Sequence, residues 1–417
     1  MESCNTESSL DLPLESLSLQ PFLQSLHKEQ WQEVRLGEVA EITSSKRIFY
    51  SEYVEYGIPF YRSKEIIEFS KGNNPQNELF IDENKYNDIA NKFGVPQAND
   101  ILLTSVGTLG IPYLVPKDKK FYFKDGNLTW FKNFKNITSL FLFYWFKSPQ
   151  GKEKLDSIAI GSTQQALTIQ GMKNLIFLLP PLTIQQKIAE ILSSFDDKID
   201  LLHRQNNTLE SLALTLFRHY FIDNPKRDEW EEVSLDDICL KIASGGTPST
   251  KIKEYYCGNI NWYSTKEFND NFLFNSVQTI TEKGLLNSSA KLFPKDTIVI
   301  AIYAAPTVGR LGILTQDSAF NQAACGLIVD EAQCSKEFIF LFLKNERKNL
   351  NLLASGSAQQ NLNVEKIKNY TLALPDKNSL YCFNIQAKGF FDKIYNNTKQ
   401  IQNLQAMRDM LLKAIFA

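Results

Sequence analysis

The sequence predicts an α+β protein: two similar globular domains separated by two long antiparallel, coiled-coil-like helices, with a pseudo-twofold internal repeat. Three observations carry that expectation. The 417-residue chain repeats itself at a spacing of about 200 residues. Each repeat opens with short apolar runs broken by Gly, Pro and Asn. Each closes on an amphipathic stretch of helical period with a continuous apolar stripe.

The repeat is legible in seven matches that keep their order. Trp31-Gln-Glu-Val-Arg-Leu-Gly-Glu returns as Trp230-Glu-Glu-Val-Ser-Leu-Asp-Asp. Ile58-Pro-Phe-Tyr-Arg-Ser-Lys-Glu returns as Ile260-Asn-Trp-Tyr-Ser-Thr-Lys-Glu. Asp100-Ile-Leu-Leu answers Asp296-Thr-Ile-Val-Ile, and Thr108-Leu-Gly answers Thr307-Val-Gly. Gly161-Ser-Thr-Gln-Gln-Ala-Leu returns as Gly356-Ser-Ala-Gln-Gln-Asn-Leu. Leu179-Pro180 matches Leu374-Pro375, and Asp197-Lys-Ile matches Asp392-Lys-Ile.

Within the repeats, Ile101-Leu-Leu-Thr, the run 175–179, the run 298–302 and the run 370–374 read as buried strands. Segments 140–147 and 336–344 read as short helices. After Pro180-Pro181, Thr183 is a plausible helix cap. Apolar residues then recur in threes and fours at Ile184, Ile188, Ile191, Phe195, Ile199, Leu202, Leu209, Leu212 and Leu216, with Asn206 in the one gap. The closing stretch carries Ile394, Ile401, Leu404, Met407, Leu411 and Ile415, with Asn397 in the seam. A helix of roughly 40 residues spans about 60 Å and cannot leave such a stripe in water. Two related helices in one chain most simply cover each other, and antiparallel packing would set the two domains at opposite ends of the pair. The resulting organisation is an N-terminal extension at 1–30, a first domain at 31–181, a central helix at 182–224, a second domain at 225–376 and a C-terminal helix at 377–417.

Composition is that of an ordinary globular protein, 43% hydrophobic and 22% charged, with 29 Phe and 16 Tyr to build cores. The net charge of -2 gives no bulk support for nucleic-acid binding, so a DNA-binding face would need locally clustered cations or a partner's help. Six cysteines without a Cys-x-x-Cys pair, beside three histidines, argue against zinc and against a disulfide framework; reduced, buried thiols are expected. The first twenty residues lack the pattern of a signal peptide, and the apolar run 140–146 is too short to span a bilayer. A cytoplasmic location is expected.

Catalytic signatures are missing, and no catalytic or metal-binding residue is expected. Asn74-Pro75-Gln76 and Asn224-Pro225-Lys226 lack the second proline and the aromatic residue of an adenine methyltransferase pocket. Gly245-Gly246-Thr247-Pro248 reads as a turn, without the Lys-Ser/Thr of a phosphate-binding loop. Asp196, Asp197 and Asp200 read as a solvated or subunit-facing surface, and Glu365, Asp376 and Lys377 echo a nuclease core only loosely.

The opening Trp-x-x-Val-x-Leu, the Gly-Ser-x-Gln-Gln segment, the run Leu179-Pro-Pro-Leu-Thr-Ile-Gln-Gln-Lys-Ile-Ala and the duplication together resemble the specificity subunit of type I restriction-modification systems. The resemblance runs from Trp31 to the C-terminus. The second helix start, Leu374-Pro-Asp-Lys-Asn-Ser-Leu-Tyr, departs from the pattern in lacking the second proline and the glutamines. The resemblance implies two target recognition domains that each read half of a split site on double-stranded DNA, and helices that set the gap between the halves. It implies a non-catalytic chain without a cofactor of its own. The partners would be two modification (methyltransferase) subunits and restriction subunits, which use S-adenosylmethionine, ATP and Mg2+. A DNA-reading subunit of another methyltransferase-based defence system and a coiled-coil scaffold that ignores DNA remain alternatives.

The duplication also sorts candidate contacts. Residues common to both domains cannot explain different half-sites, so shared residues are framework or phosphate contacts and unshared ones carry base readout. The shared set includes Tyr61 and Tyr263, Lys64 and Lys266, Thr108 with its counterpart Thr307, and Gln165 and Gln360. Lys64 and Lys266 are the phosphate candidates. Candidate readers are Arg62, Asn73 and Asn74 in the 71–77 loop, and Lys119 in the first domain, with Asn269, Asn271 and Arg310 in the second; Lys251 and Lys253 belong to the same group. The expected subunit-facing residues are Gln185, Ile188, Phe195, Ile199, Leu209, Ile394, Leu404 and Leu411.

Overall fold

The structure is a computed structural model that describes residues 20–70, 72, 79–162, 164–303, 307–354 and 362–417. The chain divides into two compact units. The first comprises the described residues up to Asp200 together with Asn403–Ala417; the second is Leu201–Gln402.

In the first unit, a four-stranded antiparallel sheet runs in the order Glu41–Thr43, Leu128–Lys132, Ile101–Thr104, Pro112–Leu114. Every residue of Ile101–Thr104 is buried, as its unbroken apolar run requires. A second, smaller sheet sets Ile58–Tyr61 parallel to Tyr122–Phe123 and antiparallel to Phe80–Ile81. Gln32–Arg35 pairs with Ile176–Leu179 as a separate two-stranded ribbon. The main core joins Phe131, Phe141, Trp145 and Phe146 to Ile188 and Leu192 of the central helix and to Leu411, Leu412 and Ile415 of the C-terminal helix.

The second unit repeats this plan with additions. Its larger sheet has five strands, Cys239–Ser244, Ala324–Val329, Ile298–Ala301, Leu311–Leu314 and Asn271–Leu273. Tyr256–Tyr263 lies parallel to Ala319–Phe320, as Ile58–Tyr61 does to Tyr122–Phe123. Glu231–Ser234 pairs with Thr371–Leu374 as the matching ribbon. The predicted short helices occur as Ser139–Lys147 and Lys336–Asn345, capped by the Thr138 and Ser335 side chains.

The central helix is Leu182–Phe217 and the C-terminal helix Lys377–Phe416. Within the second unit their direction is antiparallel. Asn206 meets Asn397, and Phe217 further along meets Phe383, earlier in the C-terminal helix. Phe217 is 1% exposed, so truncation to Ala costs about 3–5 kcal/mol. The seam holds one polar knot. The Asn397 amide donates to Asn206 Oδ1 at 2.9 Å and to Gln205 Oε1 at 3.2 Å, and the Asn206 amide donates to Thr398 Oγ1 at 3.2 Å. Both asparagines are buried, so each needs the other, and a slipped register would leave unpaired amides in an apolar seam.

Four expectations need correction. Residues 176–179 and 371–374 are not fully buried strands: each belongs to a two-stranded ribbon with one covered face, and Ile176 and Leu178 point to solvent. Thr183 does not cap the central helix. The helix begins at Leu182, and Pro181 O already accepts from the amides of Ile184 and Gln185. Residues 20–30 are integral to the first unit rather than an appendage: Leu26 is buried in its core, and Lys28 Nζ donates to Ala414 O at 3.0 Å and Ala417 O at 2.8 Å. Among the described cysteines, Cys239, Cys325, Cys334 and Cys382 are free thiols, whereas Cys257 is disulfide-bonded.

Candidate nucleic-acid interface

Each unit presents a capped turn at the end of its inner parallel strand. In the first, Tyr61 ends the strand buried, stacked on Phe121 with ring centroids 4.6 Å apart. The chain then turns over Glu65. This carboxylate is 2% exposed and accepts from the Arg62 amide at 2.7 Å and from Arg62 Nη2 at 2.7 Å. In the second unit Tyr263 is buried, and Glu267 accepts from the Ser264 amide at 2.8 Å and from Ser264 Oγ at 2.9 Å. The repeated Lys-Glu pair thus divides its labour. Glutamate folds the turn, and Lys64 or Lys266 lies exposed on its outer side. Burial pushes the Tyr263 hydroxyl pKa well above its ordinary value, which suits a framework residue. The glutamates were missed at the sequence level, although their repetition beside the lysines was the available signal.

A second shared feature is assembled from distant segments. Gly107 N donates to Gln165 O at 3.1 Å, and Leu167 N to Ser105 O at 2.9 Å. Thr108 and Gln165, both exposed, therefore sit on adjoining turns. Gly161 makes its turn at φ +98°, where a Cβ would meet Gln164 O at 2.6 Å. The corresponding join in the second unit is Leu362 N to Ile302 O at 2.9 Å. There Thr307 is buried, its hydroxyl 3.4 Å from Thr265 Oγ1. Gln360, Asn73 and Asn74 lie outside the described residues.

The profile described as "Type I restriction modification DNA specificity domain" matches residues 28–211 and again 227–405, one match in each repeat. The chain belongs to that specificity family. The "Type I restriction enzyme MjaIX specificity subunit" of Methanocaldococcus jannaschii is 27% identical over 93% of each chain. The "Type I restriction enzyme HindI specificity subunit" of Haemophilus influenzae is 26% identical over 65% of this chain and 75% of its own. Among solved structures, the type I restriction-modification S subunit from M. genitalium has the same fold, with a TM-score of 0.57 and 17% identity over 93% of this chain and 96% of that one.

Against this specificity-family framework, several expected contact residues prove to be occupied. Lys119 does not project outward as a reader: its ammonium lies 3.8 Å from the Phe69 ring centroid and within 6 Å of Tyr61 and Tyr113, and burial lowers its pKa. Asn271 faces the C-terminal helix, accepting from Thr398 Oγ1 at 3.2 Å. Arg62 is clasped to Glu65, and Arg310 is half-buried; Asn269 is exposed.

The subunit-facing set needs the same correction. Gln185, Ile188, Ile199, Ile394 and Leu411 are buried within the chain, while Phe195, Leu209 and Leu404 are half-buried. A stripe that covers its own partner helix is not a surface for another subunit. Asp196 is likewise no solvated carboxylate. It joins the two long helices and the short helix of the first unit, meeting Arg408 Nη1 at 2.7 Å, Lys147 Nζ at 3.1 Å and the Tyr144 hydroxyl at 3.0 Å. Among the described residues, no group of three or more His, Cys, Asp or Glu could hold a metal ion, and no helix is long and apolar enough to cross a membrane.

Proposed function

We propose that this chain is the DNA-reading specificity subunit of a type I restriction-modification complex, that its two domains each read one half of a bipartite site, and that its paired helices set the spacing and receive the modification subunits. The observation that carries this reading is the double match to a DNA specificity domain, one in each unit, each with the same capped, lysine-bearing turn. Lys64 and Lys266 supply phosphate contacts, and base readout falls to residues that differ between the units. Methyl transfer from S-adenosylmethionine and ATP- and Mg2+-dependent cleavage are assigned to the modification and restriction subunits; this chain supplies the address. A scaffold indifferent to DNA would have no use for two such domains.

The test is a domain exchange. Residues 31–180 are replaced by the matching domain of a relative, and the methylated motif is read in cells that also make the modification subunits. One half-site changes and the other stays. A change in both halves, or in neither, would overturn independent reading.

A further inference from the structure

Each unit carries a loop that the capped-turn argument leaves unused. Residues 44–56 follow the first strand of the larger sheet, Glu41–Thr43, pass through a one-turn 3-10 helix at Tyr50–Glu52 and enter the smaller sheet at Tyr53–Val54. Residues 245–255 do the same between Cys239–Ser244 and Tyr256–Tyr263, with a one-turn 3-10 helix at Lys253–Tyr255. The loops are topologically equivalent and share landmarks, Ser44-Ser-Lys46 with Ser249-Thr-Lys251 and Glu52-Tyr53 with Glu254-Tyr255, but between these their sequences and lengths differ. One reads Lys46-Arg-Ile-Phe-Tyr, the other Lys251-Ile-Lys.

We propose that these equivalent loops are the base-reading elements of the two domains, the first through Arg47, Phe49, Tyr50 and Tyr56, the second through Ile252 and Lys253. The assignment rests on the reading of the chain as a specificity subunit and names where its sequence preference resides.

Exposure is the first support. Tyr50 is 90% exposed, Tyr56 85% and Phe49 61%, in a unit whose other large aromatics mostly build cores. Ile252 is 38% exposed between two exposed lysines. Bare aromatic rings are costly in water and call for a partner. The double match to a DNA specificity domain makes duplex DNA the partner. Lys46 and Arg47 stand exposed beside the rings, Arg47 touching Asp125 Oδ2 through Nε at 2.9 Å while its side chain stays 69% exposed, and Glu52 is held by Lys85 at 2.5 Å and by the Phe49 amide at 2.8 Å. Arginine matches the guanine edge, while aromatic and aliphatic side chains touch the thymine methyl or wedge between base steps.

Fixed backbone is the second support, because readout needs side chains held in place. Ile48 anchors the first loop in a small core with Ile58, Phe60 and Ile81, and Lys46 N donates to the Tyr122 hydroxyl at 2.7 Å. In the second loop the Tyr256 hydroxyl donates to Pro248 O at 2.7 Å and Trp262 Nε1 to Gly246 O at 2.9 Å. Gly246 packs so closely that a Cβ would meet Ser289 O at 1.9 Å.

The experiment uses the full chain assembled with its modification subunits and duplexes carrying the methylated motif or single-base changes in either half. The double variant Arg47→Ala/Tyr50→Ala should lose about tenfold or more of its discrimination in one half-site and keep the other. Ile252→Ala/Lys253→Ala should do the reverse. Unchanged discrimination at both half-sites, beside a discriminating unaltered complex, would overturn the loop assignment alone. Uniform weakening on all sequences would overturn it too, making the loops phosphate contacts, as would loss of modification-subunit binding with discrimination intact. An unaltered complex that discriminates no sequence would overturn the specificity reading and the loops with it.

Discussion

The two long helices begin at corresponding places in the repeat but are fastened there by different chemistry. At the first start Gln185 is fully buried. Its Oε1 accepts from the Thr138 amide at 2.9 Å, and its Nε2 donates to Asn136 O at 3.0 Å and Pro180 O at 2.9 Å. One side chain thus locks the helix to the cap of the short helix beside it. At the second start the task is split. Asp376, exposed, accepts from the amides of Asn378 at 3.0 Å and Ser379 at 2.9 Å, while Asn384 about two turns later accepts from the short-helix cap Ser335 at 2.7 Å. A duplicated fold preserves the requirement, to satisfy the first turn and tie it to its neighbour, rather than the residue that meets it.

This contrast predicts its own largest effect. Gln185→Ala removes a fully buried side chain that serves three backbone groups, one of them buried, and should lower unfolding free energy by about 2–3 kcal/mol, whereas Asn384→Ala should cost about 1 kcal/mol. Denaturant unfolding of both variants measures it; equal losses would break the comparison.

The ion network in the first unit gives the next effect. Burial works against a charged Asp196, but Lys147 and Arg408 outweigh it and hold its pKa below the ordinary carboxylate value. Asp196→Ala leaves two half-buried cations facing each other and should cost about 2–3 kcal/mol, allowing for partial solvent screening. Because the folded pKa is depressed, this stabilisation is complete above the unfolded pKa of about 3.9 and is lost as pH falls through the folded value. Melting wild type and variant across that range should show the gap closing in acid. A gap independent of pH would mean that packing, not charge, is responsible.

The smallest effect belongs to the exposed cap. Ser379 Oγ and the Ser379 amide hold the Asp376 pKa below its usual value. Asp376→Ala should cost about 1 kcal/mol at neutral pH. The difference should disappear as pH falls through the lowered pKa, since protonation takes from the wild type the charged acceptor that the variant already lacks. A loss as large as that of Gln185→Ala would show that the second start depends on one residue after all.

How much of this was legible before the structure depended on where each residue's partners lie in the chain. Ile101–Thr104 and Ile298–Ala301 announced themselves because a strand covered on both faces needs an unbroken apolar run. The helical stripes, with Asn206 and Asn397 in their seam, were equally visible, since periodicity is local. The exposed positions of Lys64 and Lys266 followed from comparing the repeats. Lys119 and Asn271 could not be read, because what occupies them is remote: the rings of Phe69 and Tyr61 for one, and for the other Thr398, 127 positions away. Gln185 was expected to face another subunit; only the loop carbonyls that converge on it reveal its burial within the chain.

The meeting of Asn206 and Asn397 has a consequence for helix length. Two amides that satisfy each other across an antiparallel seam make length a discrete variable. A segment gained by one helix keeps the amides opposite each other only if its partner gains a matching segment on the same side of the pair. Lengthening that keeps the pair intact therefore comes as whole turns matched in both helices, and a single residue gained on one side breaks it.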